Sequence, residues 1–229
     1  MKRTILLLSL SLLCVLTSFA FDRQAFYRTF LKSDLTPWHD YIAGHIEISE
    51  DSLPLLLDLE YNYIAWASNQ KLDDNMVRLG AFNRHIRQYE ESPSHNESDL
   101  ATFQSASHVY SLSILDKQTV AHSLQALTYA KEACRKSPTA RALMHQGFMF
   151  FYRPSYAGGD KEKALSYLQK AEKMMLRSGE KYDWNLRNTQ LHIAQCLIKL
   201  NRKSEAERYI KRVLRDEPNF EFMKTLIRQ

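Results

Sequence analysis

The residue types that do chemistry are present, but not in the arrangements chemistry needs. Eight histidines are scattered along the chain. No His-Glu-x-x-His, Gly-x-Ser-x-Gly, glycine-rich phosphate loop or Cys-x-x-Cys occurs. His39 and His45 lack the spacing that would bring two ligands onto one helical face, so no metal site is expected. The acidic neighbours Asp73-Asp74 and Glu90-Glu91 fall beside expected helix ends, where capping or solvation accounts for them. The reading is of a non-enzymatic protein with no cofactor and no catalytic residue. What remains is an aromatic and basic stripe, including Phe148, Phe151, Tyr152 and Lys199, suited to binding.

Those side chains must be held by helices. The 229 residues contain only 6 Gly and 6 Pro, too few for a tight-turned β fold, and no strand alternation with hairpin turns is found. A 25% charged and 45% hydrophobic composition describes a globular chain. Charge is unequally placed: residues 22–100 carry 7 Lys+Arg against 14 Asp+Glu, and residues 101–229 carry 22 against 12. The two halves can dock electrostatically; nucleic acid is not the expected partner.

Met1-Lys2-Arg3, the apolar residues 5–16 and the small residues Ser18 and Ala20 have the pattern of an export signal, residues 1–20, cut after Ala20. No later segment could span a bilayer, so no stable membrane insertion is expected after its removal, and a periplasmic or secreted location follows. Cys134 and Cys196 remain, and both are expected as free, mostly buried thiols.

In residues 21–93, Asp22, Thr36-Pro37, Ser52-Leu53-Pro54 and Asp73-Asp74 mark four helix starts, read as two degenerate helical pairs. Residues 93–98 form the linker candidate. Beyond it the pattern repeats. Ala194 and the seam residues Ile193 and Leu197 precede a polar break, then Ala206, Ile210, Val213 and Pro218 follow. Gly147 with Ala164, Leu168 and Ala171 repeat the scheme, as do Ala126, Ala130, Ala133 and Pro138. This resembles the tetratricopeptide repeat, an antiparallel helix pair, over residues 100–229. The helix-B alanines are spaced by 38 and 42 residues rather than 34. The excess falls at residues 153–159 and 178–186, where loops can take it up.

The resemblance implies an all-α, right-handed α-α superhelix, a solenoid of antiparallel pairs with a C-terminal capping helix. It also implies a concave groove lined by the first helix of each unit. Carried over by position, the groove would present Arg141, Met144, His145, Phe148, Phe151 and Tyr152, then Asn188, Leu191, Gln195, Ile198 and Lys199. The expected function is a scaffold that binds a protein or peptide partner in the cell envelope. The chaperone-type carboxylate clamp is not reproduced. The alternative is a small-molecule or glycan-binding periplasmic protein using residues 153–160, Tyr156, Tyr182 and Trp184. Phe222, Met223, Leu226 and Ile227 lie at helical spacing near the C-terminus and can serve as a cap or as a homodimer face.

Overall fold

The computed structural model describes residues 21–44, 49–70, 72–114 and 119–228; the expected export signal lies outside the described residues. All regular structure among them is helical. Local sequence sets the starts. Asp22 accepts from the Ala25 amide ahead of α1 (Arg23–Leu31), and Thr36-Pro37 opens α2 (Thr36–Gly44). α3 (Leu53–Gln70) and α4 (Asn75–Glu91) follow, then α5 (Glu97–Ile114), whose first turn is capped by Asn96 through the Asp99 amide at 3.1 Å. α6 (Thr119–Ala133) leads to α7 (Ala140–Tyr152), capped by Thr139.

Asp160 caps α8 (Lys161–Ser178), and Gly179, at φ 67°, ends it in the left-handed conformation a glycine adopts without a Cβ clash. Asp183 caps α9 (Trp184–Lys199), and Pro218 lies just past the end of α10 (Lys203–Asp216). α11 (Glu221–Thr225) closes the series.

Consecutive helices pair: α3 with α4, α5 with α6, α7 with α8, α9 with α10. The α5–α6 pair is antiparallel, because Ser98 Oγ donates to the Ala133 carbonyl (2.8 Å) and Ser105 Oγ to that of Ala126 (2.7 Å). Small residues lie at the crossings: Ala126, Ala164, Ala194 and Ala206 are buried, and a Cβ on Gly147 would meet the Leu168 side chain at 2.7 Å. The first members of the pairs also contact in series, α3 with α5, α5 with α7 and α7 with α9.

One apolar core runs from Tyr27 to Met223 and so joins both halves of the chain. Trp38 packs edge-on against Trp184 at 5.2 Å and donates its indole N–H to Thr29 Oγ1 at 2.8 Å. Phe30 of α1 meets Phe220 at 6.2 Å. Of the residues at the C-terminus, Met223 is fully buried, Phe222 and Leu226 pack partly into this core, and Ile227 is exposed. No described helix is long and apolar enough to cross a membrane. The two cysteines among the described residues are free, Cys196 buried and Cys134 partly so.

Candidate functional site

α7 and α9 carry all eleven residues expected to line the groove; Met144 and Leu191 are buried in the core, and the structure divides the polar and aromatic ones into two groups. The first group is internal. Arg141 donates from Nε to Asp58 Oδ1 (3.1 Å) and from Nη1 to Asp99 Oδ2 (2.7 Å). Asp58, on α3, also accepts from Trp184 Nε1 and Asn185 Nδ2, each at 2.8 Å. One carboxylate thus ties α3 to α7 and α9, and Arg141 is spent within the fold. Three hydrogen bonds to this buried carboxylate offset its desolvation.

His145 is also internal. Ser105 Oγ donates to a carbonyl, so it accepts from His145 Nε2 at 2.8 Å; Nδ1 then accepts from the Tyr61 hydroxyl at 3.1 Å. Burial pushes this imidazole down to about 4, so it is neutral at neutral pH.

The second group lies further along the same two helices. Phe148, Phe151 and Tyr152 surround His192, with ring centroids at 4.2, 5.5 and 5.6 Å. His192 Nδ1 lies 2.9 Å from the Asn188 carbonyl and must donate to it. Its Nε2 therefore accepts the Tyr152 hydroxyl at 2.7 Å. Burial lowers His192 to about 4 and raises the adjacent Cys196 thiol to about 12. Near pH 7 both buried groups are uncharged and form the neutral floor beneath the Tyr152 ring. Tyr152 is nonetheless 67% exposed and shows its ring to solvent.

Asn188 enters this cluster through its backbone. Two and three turns beyond Asn188 on α9 come Gln195, half-buried with its Oε1 buried and unpartnered, and Lys199, exposed and in no ion pair among the described residues. The loop after Tyr152 is braced: Arg153 Nε donates to the Met149 carbonyl (2.9 Å), the Asp160 amide donates to that of Phe150 (3.0 Å), and Lys161 Nζ donates to that of Phe151. Gly159 is required there, because a Cβ would collide with the Arg153 carbonyl.

The residues offered to a small ligand are not gathered. Tyr156 is 92% exposed, whereas Trp184 is fully buried on Asp58. His39 bonds Asp40 and Asp74, and no group of three or more His, Cys, Asp or Glu among the described residues could hold a metal ion. Sequence reasoning missed Asp58, Asp99 and the central place of His192. A carboxylate within Leu55-Leu56-Leu57-Asp58-Leu59 was the available signal, since an acid inside an apolar helical run must find buried partners.

The chain matches no family model, no curated protein and no solved structure.

Proposed function

We propose that this chain is an exported, non-catalytic helical-repeat protein of tetratricopeptide type. It binds a protein or peptide segment of the cell envelope on the outer half of the α7–α9 face. The observation that carries this reading is the aromatic cluster: Phe148, Phe151 and Tyr152 seated on a neutral His192, with the Tyr152 ring left in solvent. A rigid, amphipathic tyrosine is a favourable anchor for a partner side chain, because little conformational entropy is lost when it is covered.

Lys199 adds an exposed cation, in no ion pair among the described residues, which suits a carboxylate of an extended segment. The successive helix pairs and their buried alanines support the repeat reading. Arg141 and His145 fall outside the proposed contact, because α3 and α5 already engage them. The leader-like pattern of residues 1–20 supports the proposed compartment.

A photo-crosslinking residue at position 152, with a control at Arg208 on α10, tests the reading in intact envelopes. One dominant crosslinked protein at position 152, lost on Lys199→Glu and Phe148→Ser, is the expected result. Equal labelling from both positions, or none from position 152, overturns it.

A further inference from the structure

A second concave site lies away from the α7–α9 face, where α1 meets the ends of α9 and α10. A pocket of about 280 Å³ is lined there by Gln24, Tyr27, Arg28, Lys32, Tyr182 and Glu217, among others. Its volume is at the small end of ligand-binding cavities, the size for a single ring. The helical spacing of residues 24, 27, 28 and 32 turns one face of α1 into its wall.

Three independent features converge on it. The first is aromatic: Tyr27 and Tyr182 stand 5.7 Å apart at 53°, and Tyr182, 37% exposed, gives an accessible ring. The second is backbone strain. Tyr182 sits at φ 58°, in the left-handed region that strains a bulky side chain, and such strain gathers at working sites. The third is charge. Arg28 and Lys32 have no carboxylate partner among the described residues, although both line the pocket. Glu217 does not neutralise them. Its Oε2 accepts the Tyr27 hydroxyl at 2.7 Å and lies 3.9 Å from Arg187, while Oε1 has no partner among the described residues.

We propose that this pocket binds an acidic monosaccharide. Arg28 and Lys32 hold its carboxylate, and the Tyr182 ring, backed by the buried Tyr27, takes its flat C–H face. Glu217 Oε1 and the Gln24 amide accept or donate to its hydroxyls. A ligand with both a carboxylate and several hydroxyls satisfies every uncommitted group in the lining; a neutral sugar leaves the cations unmet, and an aromatic acid leaves Glu217 unmet.

Calorimetric titration of the purified chain with glucuronate, glucose and phenylacetate decides the matter. Glucuronate is expected to bind with a Kd of about 1 mM or tighter, and glucose at least about tenfold more weakly. Arg28→Gln/Lys32→Gln should weaken glucuronate about tenfold or more with unchanged melting temperature, both side chains being exposed. Tyr182→Asn, which keeps a residue tolerant of positive φ but removes the ring, should abolish binding. No glucuronate binding, equal affinity for glucose, preference for the aromatic acid, or indifference to these variants each overturns the assignment. Crosslinking at position 152 is independent of all of them, so failure here and failure of the partner reading are separable.

Discussion

Asp58 is the residue on which the inner half of the molecule turns. Removing its carboxylate by Asp58→Ala leaves Trp184 Nε1, Asn185 Nδ2 and Arg141 Nε without their acceptor in a buried setting. The expected cost is about 3–5 kcal/mol, the range for breaking a buried ion pair from one side, read by urea denaturation. Arg141 retains Asp99, which places the loss toward the lower end. Arg141→Met alone should also destabilise, and the double variant should cost less than the two singles added, because the orphaned charge is gone. Additive single costs would show that the pair is not coupled. Tyr152 presents the contrasting case. Tyr152→Phe removes only the donor to His192 Nε2 and should cost about 1–2 kcal/mol while leaving the exposed aromatic face for a partner. Loss of partner crosslinking in that variant would move the recognition from the ring to the hydroxyl.

At the scale of the element, close helix crossing is the organising constraint. Ala194 and Ala164 have no exposed surface, and Gly147 leaves no room for even a Cβ against Leu168. Ala194→Leu should therefore cost about 1–3 kcal/mol by overpacking, measured as a lowered unfolding midpoint; an unchanged midpoint would mean that the α9 crossing is loose. Gly179→Ala, at φ 67° with nothing near the added methyl, isolates backbone strain and should cost about 1 kcal/mol. These features were legible in the sequence. The helix starts at Asp22, Thr36 and Asp160, the small residues of the helix seams and the stop at Pro218 are local signals, and each sits where its element begins, crosses or ends. The packing of α3 was not legible. Its bonds to α7 and α9 join residues 83 and 127 positions apart, and such contacts leave no periodicity in either partner. Four of the eleven candidate groove residues, Phe148, Phe151, Tyr152 and the Asn188 backbone, come together around His192, which the groove register did not single out.

Over the whole molecule, the acidic first half and basic second half meet partly through Arg141, which bonds Asp58 and Asp99 together. The contact is not uniform in sign, since Arg23 of the first half pairs with Glu180 of the second. What varies most with conditions is the set of buried titratable groups. His145 and His192 are lowered by burial from 6.5 to about 4. Between those values the unfolded chain takes up the protons and the folded chain does not. Each imidazole therefore contributes stability that is present above pH 6.5 and is lost as pH falls toward 4, about 3 kcal/mol apiece. Asp183 acts oppositely. Burial raises it to about 6, so the folded chain holds its proton where the unfolded chain does not, and stability rises as pH falls through 6. Glu60, raised by burial despite its bond to His85, adds in the same direction as Asp183. The net slope is a contest, but the difference between proteins is clean. His192→Gln should lie below the parent in unfolding free energy near pH 7, and the gap should close by about 3 kcal/mol near pH 4. His145→Gln should behave likewise, while Asp183→Asn should show the reverse pH trend. Parallel stability curves for parent and His192→Gln across that interval would mean that His192 titrates normally in the folded protein, and that the Tyr152–His192 contact opens to water in solution.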